Sequence, residues 1–281
     1  MNTLKSVILL AGMSGILIAI GAYFGGQGGA TIALIIALIM NFASYWWSDK
    51  IVLSLYKGKE VKYEDAPELY GDVQELAQNA GLPMPKVYIT PQDQPNAFAT
   101  GRNYNHSAVA VTQGIMRLLT RDELKGVLAH ELAHIKNRDI LIGSIAATLA
   151  TAITYMAYIA MFFGGGRDRG GNPIALIAMV ILAPIAATVI RLAISRTREY
   201  GADKGGAEIS GNPISLANAL RKLGAASGRV PLQVSEQVAD STSHMLIASP
   251  LTGKGLGALF STHPPMDERI RRLENMAYGR S

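Results

Sequence analysis

Long uncharged runs alternate with charged stretches along this chain. Ser6–Ser48 holds no charged residue over 43 positions, too many for one membrane crossing. The run divides at Gly25-Gly26-Gln27-Gly28-Gly29, which predicts two helices, about Leu4–Phe24 and Thr31–Trp47. Tyr45, Trp46 and Trp47 close the second of them, where aromatic belts form. That second apolar half argues against a cleavable leader. Ile140–Gly166 and Gly170–Ile190 are uncharged over 27 and 21 positions and predict another helical hairpin, turning at Gly164–Asn172. A hairpin buried in the polar part of the chain is the alternative for this pair, since Pro184 and several Ala and Thr make its second member less lipid-like.

The polar stretches carry their own punctuation. Asp65-Ala66-Pro67-Glu68 opens a helix that runs to about Ala80, and Gly81, Pro83 and Pro85 stop it. Lys86–Thr90, Asn96–Thr100 and Ser107–Thr112 read as short strands of a small antiparallel sheet. Thr120 and Glu123 form a capping box that starts a helix at Arg121. Asn212-Pro213 begins another, to about Leu223, and Pro264-Pro265 precede a last one, about Met266–Met276. His244–Ala248 is a candidate short strand. The expected fold is mainly α with a small antiparallel sheet and four transmembrane helices. Residues 1–48 form a first hairpin, 49–139 the first part of a polar domain, 140–190 a second hairpin, and 191–281 the remainder.

Composition agrees. Charged residues make up 17% of the chain, against about 25% in soluble domains. The net charge of +5 suits anionic lipid headgroups, and no dense Lys/Arg stripe with aromatics points to nucleic acid. Lys5 lies before the first hairpin and Lys50, Lys57, Lys59 and Lys62 after it, with no charge at the glycine turn, so both ends are expected in the cytoplasm. With no cysteine, a bound zinc must use histidine and carboxylate.

His130-Glu131-Leu132-Ala133-His134 falls on the capped helix. Histidines four apart share one helical face, where their ring nitrogens can hold one tetrahedral zinc. Glu131 can take the proton of an attacking water. Random placement of 5 His and 11 Glu would give roughly 0.003 such matches in a chain of this length. The third ligand must come from elsewhere. A downstream histidine with a preceding glycine is ruled out, because Ile140 and Asn137 stand at those positions. Glu199-Tyr200-Gly201-Ala202-Asp203 offers Glu199 as ligand, with Asp203 one turn later to accept a ring N–H of a zinc histidine. Antiparallel membrane helices would bring residues 196–203 level with 130–134; Asp139, Asp203 and Glu208 are the rival ligands.

HELAHIKNRD, EYGAD, PNAFATG at Pro95–Gly101 and THPPMDERI at Thr262–Ile270 together resemble the HtpX family, bacterial membrane zinc metalloproteases related to the CAAX prenyl endopeptidases. The resemblance implies a gluzincin-type fold and one zinc on His130, His134 and Glu199. It implies Glu131 as general base, His263 stabilising the oxyanion, and Arg269 as partner of that site. Asn96, Ala97, Phe98 and Ala99 would be the edge strand that pairs with substrate. It further implies an active site facing the cytoplasm from the bacterial inner membrane and cleavage of misfolded or damaged membrane proteins in quality control under stress. Two other functions compete with this one. An intramembrane metalloprotease needs the motif helix in lipid, yet charges at Thr120–Lys125 and Lys136–Asp139 bracket it. A non-catalytic membrane protein with a structural metal would need four protein ligands and leaves Glu131 without a purpose. His106 and His244 fit no motif.

Overall fold

The computed structural model of the protein describes residues 2–163, 196–226 and 264–279, together with Val234, Val238, Thr242, Met245 and Ile247. The first apolar run forms α1 (Asn2–Leu55), two helical arms that meet at Gly26 (φ 56°, ψ −142°). This is a left-handed φ that glycine alone adopts cheaply, so one residue replaces the five-residue turn expected there. Asn41 Nδ2 donates to Ser14 Oγ at 2.9 Å, tying the arms side by side. The second arm runs on past Trp47 to Leu55. Among the described residues, Gly25–Leu55 is the helix long and apolar enough to cross a membrane, at 31 residues.

The polar part follows. β1 (Lys59–Val61) is followed by α2 (Pro67–Ala80), which ends on Gly81 in the left-handed conformation. β2 (Lys86–Thr90), β3 (Ala97–Asn103) and β4 (His106–Thr112) complete a four-stranded sheet of order β1-β2-β4-β3. The sheet is mixed, not antiparallel as expected, because β2 runs parallel to β4. The chain reaches β4 through β3, which sits at the sheet edge and pairs antiparallel with β4. Only the β3–β4 hairpin and the β1–β2 pair are antiparallel.

α3 (Gln113–Leu118) leads to α4 (Arg121–Lys136), whose capping box has Thr120 N–H donating to Glu123 Oε2 at 2.8 Å. α4 is the centre of the core. Val127, Leu128, Leu132 and Ile135 are buried among α2, the sheet and the later helices. α5 (Ile140–Phe163) does not continue α4. Asn137 caps α4 and Arg138 takes φ 58°, so the chain turns before re-entering a helix. The first half of α5 packs Ile142, Ile145 and Leu149 against Met13 of α1. The expected Gly170–Ile190 helix lies outside the described residues.

α6 (Arg196–Ser210), α7 (Pro213–Ala226) and α8 (Met266–Ala277) close over α4. Asn212 Oδ1 accepts from Ser215 N–H at 3.1 Å, the cap anticipated for α7. α6 lies against α4 at Gly206, where a Cβ would stand 2.8 Å from His130 N, so only glycine permits this approach. Of the strand expected at His244–Ala248, Met245 and Ile247 are not in strand conformation, and His244, Leu246 and Ala248 lie outside the described residues.

Candidate active site

α4 presents His130 and His134 on one face, with ring centroids 4.7 Å apart and planes at 88°. α6 brings Glu199 opposite them. Its Oε2 lies 3.8 Å from His130 Nε2 and its Oε1 3.5 Å from His134 Nε2. One donor atom from each of the three lies within 4.8 Å of the others. Two imidazole nitrogens and a carboxylate are the donor set of a catalytic zinc with one position open. The far side of each ring is held by a carboxylate. Asp203 Oδ1 stands 3.0 Å from His130 Nδ1, close though not aligned as a straight hydrogen bond. Asp139 Oδ2 stands 3.2 Å from His134 Nδ1. Both rings therefore turn Nε2 toward Glu199, which is the orientation a metal requires.

Asp203 lies behind His130, on the helix that carries Glu199. Asp139, considered as a rival ligand, instead supports His134 from behind. The left-handed Arg138 makes this possible, because it folds Asp139 back so that its N–H donates to His134 O at 2.9 Å. Tyr104 secures the corner by donating to Lys136 O at 2.9 Å and accepting from Arg138 Nε at 3.1 Å. Glu208 forms an exposed pair with Lys204, away from the donors.

Arg269 is fully buried. Its Nε and Nη2 donate to Asp203 at 2.9 and 2.7 Å, a bidentate clamp. Nη1 lies 3.5 Å from Glu199 Oε2 and Nη2 3.4 Å from His130 Nε2. Sequence spacing gives no sign of this link between α8 and α6. Burial alone would raise Asp203, but the Arg269 charge and the His130 and Arg269 contacts outweigh it and hold the carboxyl down at about 2. Burial pushes Glu131 up to about 7, into the range where a carboxylate exchanges protons at neutral pH. Burial would lower His134, yet the Asp139 contact and the charges of Glu199 and Glu131 drive it up to about 9. His130 is lowered, burial being the main cause.

β3 passes beside this helix. The backbone N–H of Ala99 donates to the Glu131 carboxylate. Ala97, Phe98 and Ala99 are buried, and Phe98 packs on Tyr56 with centroids 5.2 Å apart. Asn96 is buried too; its Oδ1 accepts from Ile247 N–H at 3.1 Å, which joins the start of β3 to the segment before α8. His106 is exposed at a hairpin end. His263 and His244 lie outside the described residues.

The profile of Peptidase family M48 matches residues 64–277. Protease HtpX homologues align along nearly the whole chain. The one from Syntrophotalea carbinolica is 55% identical over 98% of this chain and 99% of its own length. The one from Desulfatibacillum aliphaticivorans is 57% identical over 97% and 89%. Among solved structures, S. mikatae Ste24p superposes with a TM-score of 0.50 at 18% identity, over 97% of this chain and 65% of that one, a likeness of fold. The profile spans both halves of the polar domain, and the donor cluster has the ligands such an enzyme needs, so the chain belongs to peptidase family M48, as an HtpX homologue and a zinc metallopeptidase.

Proposed function

We propose that the protein is a membrane-bound endopeptidase that cleaves misfolded or damaged membrane proteins at the cytoplasmic face of the bacterial inner membrane, as part of quality control under stress. The observation that carries this reading is the placement of Glu131. It is buried one residue from His130, under the edge strand β3, in a domain joined directly to the apolar arms of α1. Zinc held by His130, His134 and Glu199 would polarise a scissile carbonyl and acidify an attacking water. Glu131 takes the proton at a carboxylate oxygen and returns it to the leaving amine. An extended substrate would pair with Asn96, Ala97, Phe98 and Ala99, displacing Glu131 from the Ala99 N–H as it enters. His263 would stabilise the oxyanion. Arg269 acts through Asp203 and Glu199, fixing both carboxylates where the donors need them.

Membrane placement rests on the Gly25–Leu55 helix, and cytoplasmic orientation on the lysines that flank the first hairpin. An unfolded substrate offered to sealed proteoliposomes distinguishes the sides. With the amino terminus shown by protease protection to lie on a given face, cleavage is expected from that same face and is abolished by chelation. Cleavage confined to the opposite face contradicts the orientation. Cleavage untouched by chelation contradicts the metal dependence.

A further inference from the structure

A second site lies on the far side of the β3–β4 hairpin from the zinc ligands. The end of α1, the β1–β2 pair and the β3–β4 turn enclose a cleft of about 770 Å³. Its walls carry Lys50, Lys57, Lys86 and Arg102 against a single acid, Asp49, and Trp46 stands at its edge. Lys86 is engaged by Glu60 at 2.9 Å, which leaves three cations facing one carboxylate. Among the described residues, Lys50, Lys57 and Arg102 form no ion pair. Arg102 donates to Trp46 O at 3.3 Å, and its guanidinium lies 4.7 Å from the centre of the Trp46 ring. The arginine is thus set at the depth of the aromatic residues where the apolar helix meets water.

Lys57 adds an independent observation. It follows the end of α1 with φ 53°, where Gly58 N–H bonds back to Leu53 O at 2.8 Å. Glycine is the residue that normally fills such a left-handed helix end, and a lysine there carries backbone strain. The sequence places a cation at the cleft instead of the residue the backbone prefers.

The geometry points to a binding site for the phosphodiester headgroup of a net-anionic phospholipid, with the acyl chains lying along the exposed apolar face of α1. Exposed Ile35, Leu38, Ile39 and Phe42 continue down the same arm from Trp46, which selects a lipid over a soluble phosphate. A zwitterionic headgroup brings its own cation into a cleft that is already positive and binds less well. The site rests on the bilayer placement of α1 proposed above. Because it is read by binding and not by proteolysis, its failure leaves the peptidase assignment standing.

The two tryptophans of the chain, Trp46 and Trp47, both line this cleft, so intrinsic indole fluorescence reports on it alone. The full chain in a neutral detergent is titrated with dihexanoyl phosphatidylglycerol, dihexanoyl phosphatidylcholine, glycerol phosphate and inorganic phosphate. A saturable emission change is expected with phosphatidylglycerol at concentrations at least about tenfold below the others. Each interfacial cation contributes about fivefold, so Lys57→Gly and Arg102→Gln should each weaken binding by about that factor. Lys57→Gly relieves the strained φ, so the fold should survive, and circular dichroism checks it. Equal response to phosphatidylcholine, equal response to inorganic phosphate, or no effect of either substitution on the phosphatidylglycerol titration would each overturn the proposal.

Discussion

Arg269→Met tests the electrostatic frame of the zinc site. In the native protein the guanidinium is wholly buried and clamps Asp203 through two short hydrogen bonds, with Glu199 3.5 Å away. Removing it leaves two carboxylates without their buried cation. Breaking one side of a buried ion pair costs about 3–5 kcal/mol, because the remaining charge has neither water nor partner. That is a large share of the roughly 5–15 kcal/mol that holds a domain together. At about 2–4 °C per kcal/mol for a domain of this size, the expected fall in Tm is roughly 6–20 °C. The measurement is thermal unfolding by far-UV circular dichroism on chelator-treated protein, so that zinc binding does not contribute. The double variant Asp203→Leu/Arg269→Met removes the hydrogen-bonded pair, leaving only Glu199 without the cation, and should recover part of the loss, since an apolar pair of similar volume is often neutral. It should still bind zinc about 10–100-fold more weakly than the native protein, because His130 has lost its supporting carboxylate. Arg269→Met unfolding within about 1 °C of the native protein would refute the reasoning, as would a double variant no more stable than the single one.

Two further outcomes follow from particular contacts. Asp139→Asn should leave the fold intact and weaken zinc binding about 10–100-fold in competition with a chromophoric chelator; unchanged affinity would mean that Asp139 does not orient His134. Tyr56 is buried and bonded to Thr242, and burial pushes its hydroxyl up to about 12 from an ordinary 10. A folded value above the unfolded one means stability that is complete below pH 10 and lost as pH rises toward 12, roughly 2–3 kcal/mol in all. Tyr56→Phe should flatten this part of the alkaline unfolding curve, and an unchanged slope between pH 10 and 12 would exclude Tyr56 as its source.

What could be read from the sequence divides by range. The His130–His134 spacing, the Thr120–Glu123 capping box, the Gly81 stop and the Asn212 cap are local, set by residues three or four apart, and each is present in the structure. Glu199 was reachable because the sequence predicts a helical hairpin between it and the motif, which limits where the chain can return. The mixed sheet was not legible. β1 has three residues, too few to show a period, and whether β2 lies parallel to β4 depends on a chain path that no short pattern records. The role of Asp139 was hidden because it depends on Arg138 adopting a left-handed turn, a conformation its side chain does not advertise. Arg269 was singled out by the resemblance of THPPMDERI alone, not by its spacing. On an amphipathic terminal helix rich in charge, a cation that goes to the core looks the same in sequence as Arg271 or Arg272, which remain exposed. Gly206 stands in a Gly-Gly pair that reads as a weak point in a helix, yet it sets how closely α6 can approach His130.

The central claim is that a zinc site on His130, His134 and Glu199 works through Glu131. The direct measurement is zinc content together with casein cleavage for Glu131→Gln in purified protein. The account predicts about one zinc per chain, as in the native enzyme, with cleavage reduced at least about 100-fold. Native-like cleavage by this variant would contradict the account.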